Sequence, residues 1–277
     1  MSDFAPVWID THTHLNDERF QGDLDAVIER AYEAGVTRLI CCGYDEASSD
    51  RALAIARRYP TVWASVGLHP HDAADWSPTL AAHFDCLLRE ARANRIVAVG
   101  EVGMDFHYEK WEEVAARQEL AFRAQIELAI HHDLPLIIHD RDAHLAVYDC
   151  LESYHSAGQL GPRPGVLHCY GGSADFYLQR AIHLGLDVGF DGPITYRNSR
   201  RAAEVVAAAP LERLHIETDC PWLPPEPHRG KRNEPAWLPF IARTMACIRK
   251  LSPVELSRQL EANGLALFWP GEPGAPN

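Results

Sequence analysis

Short apolar, β-branched runs recur along the whole chain: Val7–His12, Arg38–Gly43, Val62–Leu68, Ile96–Gly103, Pro135–His139, Gly165–Cys169, Asp187–Phe190 and Leu214–Asp219. Between them lie stretches with helical periodicity, over residues 24–34, 48–58, 80–93, 114–132, 144–153, 175–184 and 199–208. Several of these end near glycine (Gly35, Gly185) or carry Asp, Ser or Glu near the start, as helix termini prefer. Strands alternating with helices imply parallel pairing through right-handed crossovers. Eight such units predict an α/β fold, a closed (β/α)8 TIM barrel, with residues 1–270 forming one domain. An open, doubly wound sheet is the competing architecture, and no glycine-rich phosphate loop supports it.

After Asp219 the chain reads CPWLPPEPHRGKRNEP, too rich in proline for helix or strand. It is expected to be a long, functional loop. Two amphipathic stretches, Pro235–Lys250 and Pro253–Phe268, would complete the outer ring of helices, and residues 271–277 form a tail expected to fray.

Composition narrows the class. The N-terminus has no basic region followed by an apolar stretch, and no run reaches the roughly 18 apolar residues of a membrane span. The seven cysteines are odd in number and contain no Cys-x-x-Cys, which favours reduced thiols in a cytoplasmic protein over a disulfide framework or a structural zinc site. The formal charge of −13 argues against broad, nonspecific adhesion to nucleic acid. It leaves open an enzyme whose local site is positive, because bound divalent metals offset charge where it matters.

In a parallel barrel the active site lies at the C-terminal ends of the strands. The first run ends in His12-Thr13-His14, and residues i and i+2 of a strand share a face. Later runs end in His69 and His71, in Glu101 followed by Asp105 and His107, in His139 with Arg141 two residues on, in His168, and in Glu217 and Asp219. A lone strand-end histidine is more often structural, and this chain carries 15 histidines. Glu101, inside an apolar run between Gly100 and Gly103, needs a partner if buried, and the glycines would let backbone or metal come close. Four histidines and two carboxylates together form a coherent set, and two metals sharing a carboxylate make a hydrolytic centre.

The strings IDTHTHL, GLHPH, GEVGMDFH, IIHDRD, LHCYGG, ETDCPWL and RGKRNEP, in that order, closely resemble the TatD family of metal-dependent deoxyribonucleases, which belongs to the amidohydrolase-type barrels. The resemblance runs from about residue 8 to about residue 268. It implies metal ligation by His12, His14, Glu101, His139, His168 and Asp219, with Glu101 bridging two divalent ions (magnesium, manganese or zinc). Glu101 and Asp219 then become the catalytic carboxylates, with Asp219 also orienting or deprotonating the attacking water. The chain departs from the family pattern at Asn16, where His-x-His-Leu-Asp is usual, and in NGLALF, which lacks a basic residue before the final Leu-Phe.

Substrate contacts are expected from His69, His71, Arg141, Arg229, Arg232 and Asn233, the last three lying with Lys231 on the proline-rich loop. Tyr108, His107 and Trp222 are candidates for stacking on a base, against the commoner role of aromatics in packing. By resemblance the function is a 3′–5′ exonuclease on single-stranded DNA ends, serving repair or degradation, with neither a membrane nor an obligate protein partner. Two rivals stand beside it. The same binuclear barrel can hydrolyse acyl compounds such as amides or an aminoacyl-tRNA ester, and a non-catalytic binding protein is the third reading.

Overall fold

The computed structural model describes residues 5–272. The eight apolar runs form eight strands: β1 Trp8–Thr13, β2 Val36–Cys42, β3 Val62–Val66, β4 Ile96–Asp105, β5 Leu136–Arg141, β6 Gly165–Leu167, β7 Asp187–Phe190 and β8 Leu214–Ile216. They make one sheet whose spatial order is the chain order, and every ladder is parallel. The ring closes just beyond the ladders, where His14 N donates to Cys220 O (2.8 Å) and Asp219 N to His12 O (2.9 Å). The protein is a (β/α)8 TIM barrel.

Among the described residues the helices are α1 Leu24–Glu33, α2 Glu46–Arg58, α3 Pro78–Arg89, α4 Ala91–Asn94, α5 Trp111–His131, α6 His144–Ser156, α7 Tyr177–His183, α8 Arg200–Ala208, α9 Leu238–Arg249 and α10 Pro253–Phe268. Local chemistry sets their starts. Asp45 and Ser252 close capping boxes at α2 and α10, and Ser77 caps α3 ahead of Pro78.

Strand alternation sorts the apolar side chains into two cores. Leu39, Cys41, Ala64, Leu136 and Ile138 face outward and pack beneath the helices with Val27, Phe84, Phe122 and Val147. Their neighbours Ile40, Cys42, Val97, Ile137 and Val166 point to the opposite face and form a second cluster with Ile9. That inner cluster is stoppered by Leu265, Leu267, Phe268 and Trp269 at the end of α10. With one end of the barrel closed by apolar side chains, the polar strand ends are left for the other.

Element ends differ from the hydrophobic pattern in instructive ways. The predicted helix over 80–93 is two helices, broken at Glu90. The stretch Pro235–Lys250 opens with a 3-10 turn, Pro235–Trp237, before α9. β4 and β5 run two residues further than their apolar runs, because Asp105 pairs with Arg141 in the ladder. β6 and β8 stop short, as the backbone turns to positive φ at Cys169 (44°) and Asp219 (53°). Of the tail expected to fray, residues 273–277 lie outside the described residues, whereas Glu272 is held by Arg38 (2.9 Å). No helix among the described residues is long and apolar enough to cross a membrane.

Candidate metal centre

β1 carries His12 fully buried at its end, and His14 follows one residue past the strand. Their Nε2 atoms converge to 3.0 Å. Asp219, delivered by the turn after β8, brings Oδ1 to 3.7 Å from His12 Nε2 and 3.3 Å from His14 Nε2. Glu101 enters from β4 and is 3% exposed, so its carboxylate has no solvent to answer to.

The two oxygens of Glu101 divide between two groups. Oε2 lies 3.4 Å from His12 Nε2 and 3.5 Å from His14 Nε2. Oε1 lies 2.8 Å from both His139 Nδ1 and His168 Nε2, which are themselves 3.2 Å apart. The structure therefore brings together all six side chains named as ligands, from the ends of five different strands. Of the two roles expected of Gly100 and Gly103, they serve the close approach of backbone, that of β4 to β5. A Cβ on Gly103 would stand 2.0 Å from the His139 carbonyl oxygen, and one on Gly100 would meet Ile137 at 2.6 Å.

This set of atoms fits divalent cations. Two imidazole nitrogens 3.0 Å apart can hold one proton between them at most, so at least one lone pair is turned into the site beside two carboxylates. Burial and the charge of His168 push His12 down to about 4, which keeps it a neutral donor at pH 7. Burial also opposes charge on His168, but the Glu101 carboxylate overrides it and pushes His168 up to about 10. The Glu101 carboxylate thus favours positive charge on the His168 side of the site. Groups of three donor atoms that could hold an ion are His12–His14–Asp219, His12–Glu101–His168 and His69–Glu101–His139.

Supporting residues complete the centre. Asp105, almost fully buried, accepts from His139 Nε2 (3.0 Å), which leaves Nδ1 turned toward Glu101, and it lies 3.1 Å from His71 Nε2. Asp10 accepts from Thr218 N (2.9 Å) and Thr218 Oγ1 (2.7 Å), holding the residue before Asp219. Glu217 accepts from Cys169 N and from Thr11 Oγ1 (3.1 Å), tying the turn after His168 to β1. Only a glycine fits above Glu217 at position 189, where a Cβ would stand 2.5 Å from Oε2. Burial pushes Glu217 up to about 8. Sequence reasoning assigned none of these three a role. Asp10 and Asp105 stand two and four residues from His12 and Glu101, the even spacing that could have marked them.

The expected substrate contacts divide. His69 reaches the ligand cluster itself, with Nε2 3.6 Å from Glu101 Oε1. His71 faces Asp105, and Arg141 donates to Tyr108 Oη (3.1 Å). Arg229 lies over the Tyr196 ring (4.3 Å). Arg232 and Asn233 are not brought to the centre. Arg232 forks onto Asp23 (2.8 and 2.7 Å), and buried Asn233 donates to Thr218 O (2.7 Å) and Trp222 O (2.6 Å), so both hold the proline-rich loop in place. Asn16, the departure from the family pattern, donates to Cys42 O and Ser48 O (2.9 Å each) and pins the entry to α2.

A family model described as TatD related DNase matches residues 9–269. The chain belongs to this family. Its members are metal-dependent hydrolases, and so is this enzyme. The "Uncharacterized metal-dependent hydrolase YabD" of Bacillus subtilis is 36% identical over 266 residues, covering 94% of this chain and 98% of that protein. The "3'-5' ssDNA/RNA exonuclease TatD" of Salmonella typhimurium is 36% identical over 265 residues, with the same shares covered. The crystal structure of YjjV, a TatD homologue from Escherichia coli, superposes with a TM-score of 0.86 at 31% identity, covering 94% of this chain and 97% of that one.

Within this family fold, Asp105 is expected to act through His139. Asp105→Asn should weaken divalent-metal affinity about 10–100-fold, the usual cost of losing a carboxylate that orients a ligating histidine. Metal titration of the purified variant measures it, and wild-type affinity would show that Asp105 does not orient the ligand.

Proposed function

We propose that this enzyme is a divalent-metal-dependent nuclease that removes nucleotides from the 3′ ends of single-stranded DNA. The observation that carries the reading is the division of Glu101, one oxygen toward His12 and His14 and the other toward His139 and His168. It suits two divalent ions, magnesium, manganese or zinc, the first completed by Asp219 and the second by the His139–His168 pair. The polarity and the single-stranded substrate rest on relatives at 36% identity that are named for that activity. Degradation or repair of DNA in the cytoplasm is the setting this reading implies.

The chemistry that such ions supply is activation of water at neutral pH and neutralisation of charge on the phosphoryl group. This chain's residues do the rest. Asp219 is held below the usual carboxylate range: burial opposes its charge, but His14 and His12 override it, so it is ionised and able to take the proton of the attacking water. Asp105 keeps His139 in one orientation, and Asp10 keeps the Asp219 turn against β1. Strand ends locked by packing hold these groups to the tight geometry hydrolysis needs.

A 5′-labelled single strand incubated with the metal-loaded enzyme should yield a ladder shortening from the 3′ end. Chelator should abolish it, and added magnesium, manganese or zinc should restore it. Chelator-resistant cleavage would remove the metal mechanism. Hydrolysis of an acyl ester without any phosphodiester cleavage would replace the nuclease reading with the acyl-hydrolase one.

A further inference from the structure

Large aromatic side chains stand exposed beside the metal centre, where core packing does not account for them. Tyr108 and Trp111, just after β4, are 69% and 58% exposed, and Trp222 on the loop after β8 is 39% exposed. Tyr108 and Trp111 line a cleft of about 470 Å³, within the range of about 300–1,000 Å³ typical of small-ligand sites. The cleft adjoins the centre. Asp105, which holds His139, also accepts from His107 N (2.8 Å), and the Tyr108 ring lies 5.6 Å from that of His71. On the side of the other histidine pair, the Trp222 ring lies 5.0 Å from that of His14.

Both aromatic platforms carry a cation. The Arg141 guanidinium lies 4.8 Å from the Tyr108 ring centre, and that of Arg19, which also forks onto Asp17 (2.8 and 3.1 Å), lies 4.6 Å from the Trp222 ring. Of the acidic residues lining the cleft, Glu109 pairs with Arg117 (2.9 Å) and Asp142 with His107 (2.7 Å), while Glu112 lines it together with Lys110. In a chain of net charge −13, exposed rings backed by arginine beside a phosphodiester centre have one natural occupant. A nucleobase offers a π face whatever its identity, and its phosphate is drawn to the cations.

We propose that the Tyr108–Trp111 cleft receives an unpaired nucleobase by stacking, with Trp222 holding a second base on the other side of the metal centre. This rests on the nuclease reading above and supplies its preference for single strands. In a duplex both faces of an internal base are covered by its neighbours, so only an unpaired base can enter.

Binding of the metal-loaded protein to a fluorescent phosphorothioate oligothymidylate, and to an abasic strand of the same length, tests it by anisotropy. The wild type should prefer the thymidine strand. The double variant Tyr108→Ala, Trp111→Ala should lose roughly five- to a hundredfold in affinity for that strand while its affinity for the abasic strand stays put. Tyr108→Phe should keep the preference, because the ring rather than the hydroxyl does the stacking. Thermal unfolding midpoints establish that the variants are folded. Equal wild-type binding to both strands, or an alanine variant that keeps the preference, would overturn the cleft. Base-selective binding without strand cleavage would uphold the cleft and remove the nuclease reading, and cleavage without base selectivity would do the reverse.

Discussion

Glu101→Gln is expected to lower turnover on a single-stranded oligonucleotide by about a thousandfold or more, corresponding to a loss of about 4 kcal/mol of transition-state stabilisation. The reason is the position of the group rather than its acidity alone. Its two oxygens serve two separate histidine pairs, so the amide would leave a nitrogen donor aimed at one pair and take a charge from both. The loss should appear in the metal as well as in the rate. Elemental analysis of the variant should find less than the wild-type metal content, and added metal should restore activity only in part. A glutamine variant with wild-type metal content and wild-type turnover would show that Glu101 does not join the two halves of the site.

Much of this site was legible because barrels put chemistry where apolar runs end. Glu101, His139 and His168 each interrupt or close an apolar run, and His12 follows Trp8 and Ile9 at the start of its strand, so the contrast survives in a bare sequence. The ends of the strands themselves were not legible. Asp105 and Arg141 look like loop residues until the ladder pairs them, and the turns at Cys169 and Asp219 interrupt runs that read as continuous strand.

The supporting residues were hidden for a different reason. Asp10 meets Thr218 across 208 positions, Glu217 meets Cys169 across 48, and Asp105 meets His139 across 34. No local pattern encodes a partner at that distance. Arg232 of the proline-rich loop has a distant partner of the same kind. Arg232 reads as a phosphate clamp only while Asp23, 209 positions earlier, is out of view. A charge that already has a buried or bidentate partner is committed to structure. Arg19, over the Trp222 ring, is likewise forked onto Asp17 (2.8 and 3.1 Å), whereas Arg141 lies over the exposed Tyr108 ring and donates to its hydroxyl.

The largest effect on stability is expected at the opposite end of the barrel, where Asp187 begins β7 with no exposed surface. Its carboxylate takes Arg163 Nε (2.8 Å) and His215 Nε2 (2.6 Å) on Oδ2, and Arg213 (3.1 Å) on Oδ1. Asp187→Ala removes the one anion that these three groups share. Breaking a buried pair from one side typically costs about 3–5 kcal/mol, and because both arginines keep some contact with water the lower figure, about 3 kcal/mol, is expected. For a chain of this size that corresponds to a fall of roughly 6–12 °C in Tm. The pH dependence carries the signature. Burial opposes charge on Asp187, but His215 and Arg163 override it and hold the folded carboxyl below its ordinary value of 3.8. The stabilisation is therefore fully present above the unfolded pKa and is lost as pH falls through the folded one. The Tm gap between wild type and Asp187→Ala should be constant near neutrality and shrink once pH drops below about 4. A gap that persists unchanged into acid would assign the loss to packing at the start of β7, because only an ionised carboxylate can lose its contribution to protons.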